Sequence, residues 1–241
     1  KKILSWYDNN KRTLPWRMCK NSKKNQYYRL LSEFMLQQTQ VKTVIPYFKN
    51  FVKKIPNLKT LSVSSEQKVL KLWEGLGYYN RARNLHKTSK ILIKEYKGKI
   101  PKSFEEIKKL PGIGDYTSNV LLALIYNQPR IALDGNVKRF LFRLSNSNTE
   151  DLVKLFKTKR NGDLAEALME FGALICKPQD PKCNECKIKK MCTYYSSKSK
   201  RRFKRKIKIH LKSYDIFCYL KKRKKQIALT KNHNLGFLKK F

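Results

Sequence analysis

An all-α fold is predicted for most of this 241-residue chain, on three observations. Apolar residues recur at three- and four-residue spacing in stretches such as LLSEFMLQQTQVKTVIPYFKNFV and LAEALMEFGALIC, the period of helices that bury one face. Short segments rich in Pro, Gly, Asn and Asp, among them KIPNL, EGLGYYN, LPGIGD and NQPRIALDGN, separate those stretches and end one helix before the next begins. No self-similar period of the solenoid kind runs along the chain, and a hydrophobic content of 41% is enough to fill one core.

Taken in order, the helical pattern runs from Trp6 to about Tyr195. Past Cys192 the composition changes to SSKSKRRFKRKIKIHLKS, basic and without an apolar face, which reads as a linker over 196–212. Beyond it, YDIFCYL and QIALTK are two β-prone runs around a charged turn, the pattern of a hairpin. Two strands do not make a stable domain. The segment 213–241 therefore reads as the start of a short β-rich fragment, and a chain that begins without Met reads as a piece of a longer protein.

Lysine and arginine number 56 against 17 aspartates and glutamates, a formal charge of +39. A surplus of that size fits a polyanionic partner, nucleic acid first of all, although a run of charge is also what a solvated face carries. No apolar run approaches the about 20 residues that cross a bilayer, and KKILSWYDNNKRTLPW lacks the apolar core of a signal peptide. The expectation is a soluble, cytoplasmic protein with no membrane partner, whose six cysteines form no disulfide framework.

Four of those cysteines, Cys176, Cys183, Cys186 and Cys192, spell C-x6-C-x2-C-x5-C. Four thiolates on one short loop suit a [4Fe-4S] cluster or a structural zinc, since both take soft sulfur ligands. Zinc sites usually pair two short C-x2-4-C units and only one is present, so the spacing leans to the cluster without deciding. Lys182, Lys187, Lys189 and Lys190 around the loop would face a polyanion.

In LPGIGDYT, Gly112 and Gly114 allow a turn whose amides point out at the start of the next helix, a nest that grips phosphate without reading a base; a plain turn is the simpler alternative. In IALDGNVKRFLFRL, Asp134 precedes an amphipathic stretch and reads as its N-cap. Glu33 sits among Leu30, Leu31, Phe34 and Met35, surroundings that raise a carboxyl pKa. One protonated and one ionised carboxyl are what N-glycosidic cleavage needs, an acid for the leaving base and a negative charge for an oxocarbenium-like sugar.

LPGIG, LDGNVKR and the four-cysteine loop together resemble the helix-hairpin-helix DNA glycosylase superfamily that carries an iron–sulfur cluster. Within it, LPW, SEFMLQQTQVKTVIPYF, LWEGLGYYNRARNLHK and LDGNVKR, in that order between about Leu4 and Cys192, are similar to the MutY-type adenine DNA glycosylases. The resemblance implies a two-lobed catalytic domain over 1–195, with the hairpin on one lobe and a [4Fe-4S] cluster held in the loop 176–192. It implies a monomer that works in the bacterial cytoplasm at the nucleoid. Its partner is double-stranded DNA with A:8-oxoG or A:G mispairs, bent in the groove with the adenine flipped out. Glu33 would protonate adenine N7 and Asp134 stabilise the sugar cation, with Asn136 orienting the site and Tyr116 packing and hydrogen-bonding beside it. Trp16, Arg17 and Glu166 would line the adenine pocket, and Gln38 and Tyr78 form the wedge. Lys138 would meet the abasic product. The segment 213–241 would begin the Nudix-like domain that recognises 8-oxoguanine.

The residues themselves fit these roles. Tyr78 lies between glycines and arginines, suited to stacking, and Arg81 and Arg83 are expected to meet phosphate. A glycosylase/lyase acting on oxidised pyrimidines would need an amine nucleophile at position 116, where this chain has Tyr116, so base removal without strand cleavage is expected. A purely structural DNA-binding module has no use for Glu33 and Asp134 near phosphates, and no RNA-recognition signature favours a zinc-stabilised RNA binder.

Overall fold

A computed structural model describes residues 1–17, 22–145 and 158–197, with the backbone of 221–223 and 226–228. Two hydrophobic cores organise the helical body. At the centre of the larger lies α2 (Ser22–Leu36), whose Leu30, Leu31, Phe34 and Met35 are wholly buried, each contributing about 1.5–3 kcal/mol relative to exposure. Around it pack α3 (Val41–Lys54) through Phe48 and Phe51, α4 (Leu58–Val63) through Leu61, and α5 (Glu66–Trp73) through Trp73. The shell is completed by α6 (Asn80–Glu95), the short α7 (Phe104–Lys108) and α8 (Asp115–Tyr126). Loop chemistry sets the boundaries: Asn57 and Ser65 accept the amides of Thr60 and Lys68 at 2.8 and 3.2 Å as side-chain caps.

The second core joins the start of the chain to its later helices. α1 (Lys2–Asn10) contributes Ile3, Trp6 and Tyr7, α9 (Gly135–Ser145) contributes Val137, Phe140 and Leu141, and α10 (Asn161–Leu174) contributes Leu164, Leu168 and Phe171. Phe171 receives Trp6 and Phe140 edge-on at 4.9 and 5.3 Å. α10 also packs against α8 of the first core. α8 ends at Asn127 in the left-handed conformation (φ 53°), and the Asn127 side chain accepts the Gly162 amide at 3.0 Å, which pins one helix end to the next helix start. Between these cores lies the site.

The all-α expectation therefore holds for the described helical body. The body closes with α11 (Thr193–Ser196), so Ser196 is helical and not the first residue of a linker; 198–212 lie outside the described residues. Lys221–Arg223 pairs antiparallel with Gln226–Ala228. That puts the first strand on the charged segment following YDIFCYL, which itself lies outside the described residues, as does most of the expected β-rich fragment. Among the described residues no helix is long and apolar enough to cross a membrane.

Candidate active site

Glu33 occupies the last turn of α2, surrounded by the wholly buried Leu30, Phe34 and Met35 and itself only 9% exposed. Burial disfavours its charged form and pushes its pKa up to about 7, against the pull of Arg29 and Arg17 and with the help of the negative charges of Glu166 and Asp134. A carboxylic acid that titrates near neutrality can hold and deliver a proton there. Tyr116, on the first turn of α8, lies in the field of Glu33 and Asp134, and burial and those two charges raise its phenol pKa. Its hydroxyl donates to Met169 Sδ at 3.4 Å, so its hydrogen bond in the site goes to a thioether rather than to a carboxylate.

Asp134 caps α9 as expected, its Oδ1 accepting the Val137 amide at 2.7 Å and its Oδ2 accepting Asn136 Nδ2 at 3.0 Å. A carboxylate fits the positive end of a helix, and one oxygen fixed to the backbone leaves its direction set by α9. Asn136 is held from the other side, because Arg139 Nη2 donates to its Oδ1 at 3.0 Å. Gly172 makes this approach feasible: a Cβ there would stand 2.8 Å from the Asn136 carbonyl oxygen. Lys138 is exposed on the same helix.

Trp16 is buried against Phe48 at 5.3 Å, and beside it Arg17 reaches into a network the sequence reading only half saw. Glu166 Oε1 accepts from Arg17 Nε at 2.8 Å and from Arg29 Nη1, while its Oε2 accepts from the Tyr7 hydroxyl at 2.5 Å. Glu170, one turn further along α10, takes Arg17 Nη2 at 3.1 Å and Arg12 Nη2 at 2.7 Å. Burial works against the Glu166 charge, but Arg29, Arg17 and Tyr7 hold its pKa below the usual carboxylate range. Tyr7, Arg12, Arg29 and Glu170 were not foreseen. The signals were present: an arginine four residues before Glu33 in YYRLLSEF, and two glutamates one turn apart in the otherwise apolar LAEALMEFGAL.

Gln38 and Tyr78 are both exposed, Tyr78 at 63%, and both adopt left-handed backbone conformations, φ 58° and 48°. Their loops meet at Arg81. Its Nη1 donates to the carbonyls of Phe34, Met35 and Gln37, and its Nη2 to those of Leu76 and Gly77. Only 7% exposed and spent on backbone, this guanidinium is not available to a phosphate, which corrects the expectation for Arg81. Arg83 remains near the surface, with Nε on Glu66 at 3.0 Å. In the turn between α7 and α8, Gly112 and Gly114 are exposed and Gly114 is the N-cap of α8. Gly112 has φ +78° and its carbonyl accepts Gln37 Nε2 at 3.2 Å, so this turn is joined to the Gln38 loop as well.

Cys176, Cys183, Cys186 and Cys192 are all half-buried and all line one cavity, closed by Phe140, Ile175, Ile188 and Tyr194. Burial raises the Cys186 thiol pKa and the other three cysteines raise it further, the mutual repulsion that bound cations remove. Arg143 Nη1 stands 3.4 Å from Cys176 Sγ. Among the described residues no three His, Cys, Asp or Glu side chains are gathered as ligands of a single metal ion. The donor set and its shared cavity fit a sulfur-ligated group.

The family model for the "HhH-GPD superfamily base excision DNA repair protein" matches residues 31–162. An adenine DNA glycosylase of Buchnera aphidicola (subspecies Baizongia pistaciae) is 42% identical over 99% of this chain and 70% of its own length. The adenine DNA glycosylase of Mus musculus is 39% identical over 80% of this chain and 41% of its own length; the chain thus spans about two fifths of the mouse relative. Among solved structures, a thermostable thymine-DNA glycosylase superposes with a TM-score of 0.71 at 26% identity, covering 80% of this chain and 93% of that one. A trapped endonuclease III–DNA covalent intermediate superposes with 0.66 at 23% identity, over 80% and 91%, a likeness of fold.

Proposed function

Since the chain belongs to the helix-hairpin-helix superfamily of base excision DNA repair proteins, as a MutY-type member, we propose that it is an adenine DNA glycosylase acting on adenine opposite 8-oxoguanine or guanine. The observation that carries this reading is Glu33, a buried carboxylic acid titrating near pH 7 beside the helix-capping Asp134. A flipped adenine would take the Glu33 proton on N7. The C1′–N9 bond then breaks with its electron pair going to the base, Asp134 offsets the positive charge left on the sugar, and water adds at C1′, its proton returning to the Glu33 carboxylate, to leave an abasic site. Asn136 and Arg139 hold Asp134 in direction.

Trp16, Arg17 and Glu166 form the wall that meets the base, and Tyr116 the side that faces the sugar. Gln38 and Tyr78, on loops joined through Arg81, enter the duplex where the base has left. Gly112 and Gly114 present amides to a phosphate, Arg83 and Lys138 add charge along the strand, and the protein works as a monomer at the bacterial nucleoid. Cys176, Cys183, Cys186 and Cys192 would hold a [4Fe-4S] cluster, which would cross-link the end of the helical body. With a phenol at position 116 and no amine there, base release ends without strand cleavage.

Single-turnover assays on duplexes carrying A opposite 8-oxoguanine, A opposite guanine, and thymine glycol test the reading. Adenine release from the first two is expected. Release of thymine glycol, or a stoichiometric borohydride-trapped adduct, would overturn it.

A further inference from the structure

Arg29 is an arginine in the wrong place for stability. It lies on the side of α2 that meets Glu166 of α10, 9% exposed, and its Nε is buried with no hydrogen-bond partner. Burying a guanidinium with an unmet donor costs free energy, and a buried ion pair is often no more stable than an apolar side chain of its size. A leucine would continue the YYRLLSEF stripe better, so packing does not account for the charge.

Its position does. Arg29 and Glu33 are one turn apart on α2, so their side chains leave the same face. The Arg29 guanidinium grips Glu166 Oε1 from α10, and its charge is the strongest of those acting on Glu33. Arg17 cannot replace it, because that guanidinium is divided among Glu166, Glu170 and the Arg12 carbonyl. The other charged groups facing Glu33 are Glu166 from α10, Asp134 from the start of α9 and Arg17 from the turn Pro15–Arg17, with the Tyr116 phenol from α8.

The geometry points to Arg29 as a positioning residue that fixes the Glu166 carboxylate in the pocket wall and sets a permanent positive charge one turn from Glu33. This rests on the adenine glycosylase reading above. Without Arg29, Glu33 would be an acid whose proton is held too firmly by burial and by two neighbouring carboxylates, and Glu166 Oε1 would keep Arg17 alone of its two donors. Arg29 opposes both.

Two readouts test it: the pH profile of single-turnover adenine release, and the 13C carboxyl titration of Glu33 by NMR, assigned with Glu33→Gln. In Arg29→Leu, both midpoints are expected to move up by about one pH unit or more. Arg29→Lys keeps the charge but loses the planar fork, so its midpoint stays near wild type while its plateau rate falls by about tenfold. Coincident midpoints in wild type and folded Arg29→Leu overturn the proposal. If Arg29→Leu does not fold, Arg29→Lys decides: wild-type rate and midpoint together overturn it, and a lowered plateau at an unmoved midpoint supports it. Should wild type release no adenine, the glycosylase reading fails, and the NMR titration still decides whether Arg29 governs Glu33.

Discussion

Arg139 Nη2 donates to Asn136 Oδ1 at 3.0 Å, and the same guanidinium reaches the carbonyls of Gly172 at 2.7 Å and Cys176 at 2.9 Å. One side chain thus ties the residue that directs Asp134 to the first cysteine of the four-cysteine loop. Arg139→Leu should leave two carbonyls without their donor and release Asn136, lowering stability by about 3 kcal/mol and slowing adenine release. The [4Fe-4S] cluster proposed for that loop should be lost more readily. Melting curves, visible absorbance and single-turnover rates on one preparation check this; unchanged rates with unchanged absorbance would count against the link.

Glu33 has a stability signature as well as a catalytic one. Its folded pKa of about 7 stands above its ordinary value of 4.5, so between those pH values the native state binds the proton that the unfolded state has lost. Stability contributed by this group is full below pH 4.5 and is lost as pH rises towards 7, by roughly 3 kcal/mol. Glu33→Gln should therefore be inactive yet more stable than wild type at pH 8, with the two converging at pH 4.5. Denaturant melts across that range provide the check, and a variant less stable at pH 8 would contradict the burial of an ionising acid. In the proposed mechanism Glu33 acts in its protonated form, so wild-type adenine release should fall as pH rises through about 7.

Glu33 and Asp134 were legible in the sequence because their signals are local. A lone carboxyl inside LLSEFML implies burial by helical period, and an aspartate ahead of VKRFLFRL implies a cap. Arg81 was misread for the opposite reason. NRARNLHK looks like a solvated, phosphate-seeking run, and nothing in it shows that carbonyls 44 to 47 residues earlier converge on one guanidinium. The Arg17–Glu166 pair joins positions 149 apart, so each half was visible and their contact was not. The left-handed conformations of Gln38 and Tyr78 arise just after α2 and just before α6, and composition does not specify them.

Arg81 is expected to act on loop order rather than on the electrostatics of binding. Arg81→Ala removes the guanidinium donor from five carbonyls, of which Gly77 keeps Trp73 Nε1 at 3.1 Å, and removes the cation from above the Trp73 and Tyr78 rings at 5.5 and 5.4 Å, a loss of about 3–5 kcal/mol. The salt dependence of duplex binding should keep its slope, since no phosphate contact has been removed. Arg83→Ala should show the reverse pattern, near-normal stability with a shallower slope. Binding isotherms at several salt concentrations, alongside thermal melts, separate the two.

Gly112 has the narrowest tolerance of the hairpin positions. Its φ of +78° is one that side-chain-bearing residues adopt at a cost, and a Cβ would come within 2.8 Å of Asn84 Cβ and 2.9 Å of Phe34 Cε1. Phe34 is wholly buried and the Asn84 atom met first is the Cβ fixed to its backbone, so neither can swing aside as the end of a long surface side chain would. Gly112→Ala should cost about 2–4 kcal/mol from strain and overpacking, and should weaken duplex binding by displacing the amides of the turn. Gly114→Ala is the matched control for strain, because its Cβ would meet nothing within 4 Å and its φ of −105° is open to any residue. Equal losses of stability in the two variants would show that the turn is strained throughout and that the close approach to Phe34 is not what demands the glycine.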